Sequence, residues 1–310
     1  MARGGGAAPK QSPDAGRSRR AGARDRRLRD QLLNVTPRTY LRRMTTLARD
    51  PVSPAAATGL HGPPAVFRLE STEGGRLGLE QTARVLGVWR RALMARSVQP
   101  VPEVISGHPA DSSRAAPRPS HRAHLALLPW AGRDGTGALR LAGVAACLPS
   151  GAAGLDRRAA LSALGSIRRL TLGDLGVWQV APWESERQIA DPDGMTWRGP
   201  SRVWTSLTPV VFGRYPRDPW GPEAARVVAE ACRIEGLPEP ARVETARRSW
   251  IRGVPSSDEF PPLWDRPGRP RAFHVHVRLE FPVPVEGPVL VGAGRHGGYG
   301  VGVPFTSPNT

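Results

Sequence analysis

Two tandem βαββαβ units of the α+β class, closed by a C-terminal glycine-rich loop, are what this 310-residue sequence predicts. Three observations carry that prediction. Strand-like and amphipathic helical patterns alternate in one order, and the order occurs twice. The stretch "AFHVHVRLEF" at 272–281 alternates apolar and other residues without a break, as a strand with one face on a core does. "VLVGAGRHGGYGVG" at 289–302 holds six glycines in fourteen positions, a density kept for positive φ or for close approach of bare backbone to another group.

Taken in chain order, the first unit begins after a Pro/Ala/Gly linker with the strand "AVFRLE" at 65–70. A helix follows, because Leu79, Ala83, Leu86, Trp89, Leu93 and Met94 fall at helical spacing with Arg84, Arg90 and Arg91 off that stripe. Beyond a proline-rich loop come the strands "HLALLPW" and "LRLAGVAACL", the helix "GLDRRAALSALGSI" and the strand "LGVWQVA". The second unit opens with "VWTSLTPVVF" as one strand. Its helix "GPEAARVVAEACRIEG" has proline at the start and glycine at the end. The strands "ARVETARRS" and "AFHVHVRLEF" come next, then "GPVLVG" in the place of the second helix, and "YGVGV" as the last strand. Two ferredoxin-like (RRM-like) units are expected at 64–183 and 184–310, behind a basic disordered arm and linker at 1–63.

Charge narrows the class of partner. The chain carries 44 basic and 27 acidic residues, a formal +17, which points to a polyanion or an acidic surface. Residues 1–50 alone hold 13 basic and 4 acidic residues, a net +9 in a stretch low in apolar content. All but one of the 44 are arginine, whose planar fork suits phosphate and stacks on bases. No unbroken apolar run approaches the ~20 residues of a membrane helix. Cys147 and Cys232 stand far apart, with neither a disulfide framework nor a zinc spacing, as expected of a cytoplasmic protein without cofactor or metal.

The segments "SGH", "HLALLP", "WTSLTPVV", "HVHVRLEF" and "GPVLVGAGRHGGYG", in that order, resemble the RAMP superfamily of CRISPR-associated proteins. Within it they are similar to the Csb-two type of subtype I-G (formerly I-U), a fusion of a Cas-five-like and a Cas-six-like part. The similarity spans residues 64–304 and falls in the Cas-six half, with the Cas-five half missing. It implies metal-independent cleavage of CRISPR repeat RNA to mature guide RNA, the 2′-hydroxyl attacking the adjacent phosphate to leave a 2′,3′-cyclic phosphate. It also implies a partner in other subunits of a Cascade-type complex. An inert RNA-binding subunit of the same superfamily is the alternative, and a general basic RNA-binding protein working through its tail is a third.

Histidine suits this chemistry because both of its protonation states exist near neutral pH. His108, between glycine and proline in the region where the Cas-six family places its catalytic histidine, is the first candidate acid or base. His121 and His124, flanking the second strand, are the others. Arg90, Arg91, Arg271 and Arg278 are candidate phosphate partners, and Tyr299 and Trp204 candidate stacking surfaces. His274 and His276 share one strand face and are expected to line the RNA or pack on the sheet; no carboxylate or cysteine completes a zinc set around them. In the loop, Gly292, Gly294, Gly297, Gly298 and Gly300 are expected to lay backbone N–H groups against phosphate, aided by Arg295 and His296. A family lysine that steadies the transition state has no counterpart here, leaving that task to an arginine or Tyr299.

Overall fold

The computed structural model describes residues 56–57, 64–108, 125–134, 136–149, 151–183, 197, 199–263 and 272–305. The expected arm lies outside these residues, apart from a two-residue strand, β1 (Ala56–Ala57).

The first sheet is built from β2 (Ala65–Ser71), β3 (Ala126–Arg133), β4 (Leu139–Cys147), β5 (Arg169–Thr171) and β6 (Val177–Pro182). Its spatial order is β3-β4-β2-β6-β5, and every pair is antiparallel. Helix α1 (Thr82–Arg96) connects β2 towards β3, the one-turn α2 (Glu103–Ser106) follows it, and α3 (Gly154–Ser166) lies between β4 and β5. The buried residues of α1, Val85, Leu86, Trp89 and Leu93, form one stripe at helical spacing, which is why this segment coils and which face it hides. Trp89 meets Phe67 of β2 edge to face at 5.4 Å, tying that stripe to the sheet.

The second sheet contains β7 (Pro200–Ser206), β8 (Val210–Val211), β9 (Arg242–Ala246), β10 (His274–Glu286), β11 (Val289–Leu290) and β12 (Val301–Pro304). Strand β10 is its spine. It pairs antiparallel with β7, β8 and β9 and parallel with β1, while β12 pairs with β7 and β11. Read along the hydrogen bonds, β9-β10-β7-β12 repeats the order β3-β4-β2-β6 of the first sheet.

Helix α4 (Pro222–Ile234) starts and stops as its sequence dictates. Gly221 precedes the initial proline, and at the other end Gly236 N–H donates to Arg233 O and Leu237 N–H to Cys232 O, the paired bonds of a glycine-terminated helix. Burial in an apolar site raises the Cys232 thiol to about 12, so it is an inert core group.

Two expectations about the second sheet are corrected. The segment "VWTSLTPVVF" is not one strand: pairing stops at Ser206 and resumes at Val210, across Pro209, whose ring nitrogen has no hydrogen to give a ladder. "GPVLVG" is not a helix either, because Val289 and Leu290 pair with Gly302 and Val301. Among the described residues the second sheet has one α-helix where the first has three.

The sheets share a core. Buried Phe67, Leu86, Trp89 and Leu127 of the first cluster with Leu207, Val211, Leu290, Tyr299 and Val301 of the second. A second cluster, around Trp204, Val227, Val275, Leu279 and Phe281, fills the space between α4 and β10. Among the described residues no helix is long and apolar enough to cross a membrane.

Candidate functional site

The glycine segment is buried, and its glycines have protein neighbours. Gly298 has φ +83°, in the left-handed region, and a Cβ there would run into Leu86 Cδ1 and stand 2.7 Å from Thr82 Cγ2, both on α1. Gly300, at φ +68°, would drive a Cβ into the carbonyl oxygen of Val291. The backbone amides turn inward as well. Ala293 N–H donates to Val211 O (2.9 Å), Gly297 N–H to Gly294 O (2.8 Å), Gly300 N–H to Pro209 O (2.8 Å) and Val301 N–H to Thr208 Oγ1 (3.1 Å). Of the amides expected to cradle phosphate at Gly292, Gly294, Gly297, Gly298 and Gly300, those of Gly297 and Gly300 are bonded within the protein. Bare backbone here lets the β11–β12 connection lie flat on α1 and β8, closing the interface between the sheets.

Arg295 follows the same logic. Only 6% exposed, it sets its Nε 2.7 Å from Glu235 Oε1 at the end of α4 and donates from Nη1 to Gly292 O (2.9 Å). Burial pulls its guanidinium below the usual range and the Glu235 carboxylate pushes back. It braces the turn against α4, with its charge already matched. His296 and Gly297 are half-buried in that turn. Tyr299 is fully buried, its hydroxyl donating to Pro261 O and its ring meeting Phe260 and His274 at 5.9 and 5.7 Å. Desolvation holds its phenol above the ordinary range.

The paired histidines of β10 do share a face, and protein covers it. His276 has no exposed surface; its Nδ1 lies 3.0 Å from Ser206 Oγ and its Nε2 3.0 Å from Pro255 O. Pro255 O can only accept, so Nε2 carries a proton, and in the neutral ring Nδ1 accepts from Ser206 Oγ, which itself accepts the Val277 N–H (2.9 Å). Burial accordingly lowers its pKa to about 4. His274 is half-buried, with Nε2 2.7 Å from Ser257 O. Among the described residues no group of three or more His, Cys, Asp or Glu is placed to hold a metal.

Arg278 is half-buried, bonded to Glu244 Oε2 (3.1 Å) and lying over the Phe305 ring at 5.3 Å. Trp204, offered as a stacking surface, is instead core, wholly enclosed and donating to Ser201 O (2.9 Å).

A different arrangement surrounds His108. Val104 and Ile105 of α2 are buried and anchor the turn, and Leu125 N–H donates to Val104 O (2.8 Å). Gly107 closes α2 at φ +72°, its N–H donating to Glu103 O (2.8 Å). Ser106 Oγ then lies 3.0 Å from His108 O and 3.1 Å from His108 N, fixing the backbone of an exposed histidine. Arg90 reaches from α1 to donate to Ser106 O, and its partial burial lowers its pKa. Arg91, next along α1, is exposed. From the predicted set the structure brings Arg90 to the turn that carries His108, with Arg91 exposed beside Arg90 on α1, and it engages His274, His276, Arg295 and Tyr299 within the protein. His121, His124 and Arg271 lie outside the described residues. Sequence reading missed Ser106, whose hydroxyl bonds the backbone two residues on, and Ser206 and Glu235, whose parts are set by contacts between distant segments.

No family model matches the chain, and no curated protein matches it. Among solved structures it is similar to one described as "An RAMP protein binding different RNA substrates", with 10% sequence identity, 78% of this chain and 98% of that chain covered, and a TM-score of 0.38. The description of the fold rests on the strand orders above.

Proposed function

We propose that the chain binds RNA as a duplicated ferredoxin-like protein of the RAMP type, and that it cuts CRISPR repeat RNA without metal at His108. One observation supports this above the rest: β3-β4-β2-β6 and β9-β10-β7-β12 repeat one antiparallel order, and the glycine segment leads into the last strand of the repeat. With the formal charge of +17, that topology suits a backbone-binding RNA protein. The boundaries 64–183 and 184–310, the basic arm at 1–63 and assembly with other Cascade-type subunits in the cytoplasm belong to the same proposal.

In this reading His108 exchanges a proton with the attacking 2′-hydroxyl or the leaving 5′-oxygen, and Arg91 faces the phosphate. His121 and His124 are the alternative acid–base groups. A non-cutting RNA-binding subunit is the second reading, favoured by the internal engagement of His274, His276 and Arg295.

Cleavage of repeat RNA in EDTA, abolished by a 2′-deoxy at the scissile nucleotide, is the expected result. His108→Ala lowers the rate by about 10² or more with binding retained. Tight binding without any cutting by the wild type moves the protein to the second reading.

A further inference from the structure

Where the chain leaves β8 it passes Phe212 and turns through residues 213–221 into α4. Phe212 is buried and its N–H donates to Phe273 O (3.0 Å), which sets Phe273, just before β10, beside it. The two rings stack at 6.1 Å and 13°, and Trp220 meets Phe273 edge-on at 5.9 Å and 77°. These rings climb outward from the core: Phe212 is 6% exposed, Phe273 39% and Trp220 44%, with Tyr215 on the same turn at 54%.

The turn that presents them is pinned. Trp220 N–H donates to Asp218 Oδ1 (2.9 Å), Gly221 N–H to Asp218 O (3.3 Å) and Arg217 N–H to Glu223 Oε2 (3.0 Å). Trp220 and Phe273, set in place by these backbone bonds and by their ring contact, and Tyr215 on the same turn, forgo the burial that would otherwise stabilise them, which marks a surface kept for a ligand. The charge around them is positive. Arg214, Arg217 and Arg226 are exposed and enter no ion pair among the described residues, although Arg214 acts on the Glu230 carboxylate through space. The nearby carboxylates of Asp218 and Glu223 each accept a backbone amide.

We propose that Trp220, Phe273 and Tyr215 are a stacking platform for unpaired bases of single-stranded RNA, with Arg214, Arg217 and Arg226 along its phosphates. Exposed π-faces bind any unstacked base, whereas a duplex presents none except at its ends. Arginine beside aromatic rings adds charge and guanidinium stacking, a combination that fits a nucleic-acid strand better than an apolar protein partner. The platform deepens the RNA-binding reading and rests on it, but it is separate from His108 and does not require the chain to cut.

The test is fluorescence anisotropy with a labelled oligouridylate of about 12 nucleotides. Variants are Trp220→Ala alone, the triple Tyr215→Ala/Trp220→Ala/Phe273→Ala, and Arg214→Gln/Arg217→Gln, with thermal melts as the folding check. The wild type is expected to bind; the triple variant weakens binding about tenfold or more with an unchanged salt slope, and the arginine pair lowers that slope by about 1 to 2. In the wild type, crosslinks from 5-bromouridine RNA fall within residues 212–221 or at Phe273. Wild-type affinity in the triple variant, or crosslinks wholly elsewhere, overturns the platform, leaves the patch to a protein partner and leaves RNA binding intact at another site. Absence of any RNA binding by the wild type overturns the platform and the RNA-binding reading together.

Discussion

The turn after α2 and the turn between β11 and β12 are made of the same kinds of residue, yet the molecule treats them oppositely. Each has a histidine and a glycine with positive φ, and at each an arginine holds a backbone carbonyl, Arg90 of α1 at Ser106 O and Arg295 at Gly292 O. At the first, bonds are spent on the backbone and His108 is left in water. At the second, Arg295 is matched by Glu235, and Gly298 is pressed on α1. Residue type alone does not separate the two turns; what differs is whether the protein encloses the side chain and matches its charge.

Variants that break this contrast are ordered by their effect on stability. Gly298→Val adds both strain at positive φ and overlap with Leu86 and Thr82, and should cost about 4 kcal/mol in urea denaturation. A loop kept solely for ligand would lose little. Arg295→Met leaves the Glu235 carboxylate half-enclosed without its cation, and a loss of about 3 kcal/mol is expected by the same measurement.

His276 sharpens the contrast through pH. Its folded-state pKa of about 4 lies below the unfolded value of 6.5, so its contribution is complete above pH 6.5 and is lost as pH falls towards 4. That drop is on the order of 3 kcal/mol. Denaturation midpoints taken at pH 7.5 and pH 4.5 should differ accordingly, and His276→Gln should flatten the difference. His108→Ala, at the exposed turn, is expected to change stability by under about 0.5 kcal/mol, whatever its effect on the proposed cleavage. A large loss of stability there would place His108 among the braces.

Much of the sheet framework could be read from the sequence, for reasons visible in particular residues. The alternation in β10 is a period-two signal that only a strand produces, and the proline and glycine bracketing α4 are where the helix begins and ends. The same alternation left two parts open for His276, facing RNA or packing on the sheet. It puts Val275, Val277 and Leu279 on one face and His274, His276 and Arg278 on the other, but cannot tell that the segment carrying Pro255, Ser257 and Phe260 covers that second face. The glycines failed similarly: a glycine kept for a phosphate and one kept for a leucine methyl have the same letter. Pro209 alone held the clue that "VWTSLTPVVF" breaks, and Glu235 stands 60 positions before Arg295, a pairing no local pattern announces.

Gly298 against Thr82 and Leu86 also means that a segment near the C-terminal end of the chain helps complete the packing of α1. A single proteolytic cut between β6 and β7 should therefore leave two pieces that stay together through gel filtration and separate only in denaturant, while either piece expressed alone should aggregate.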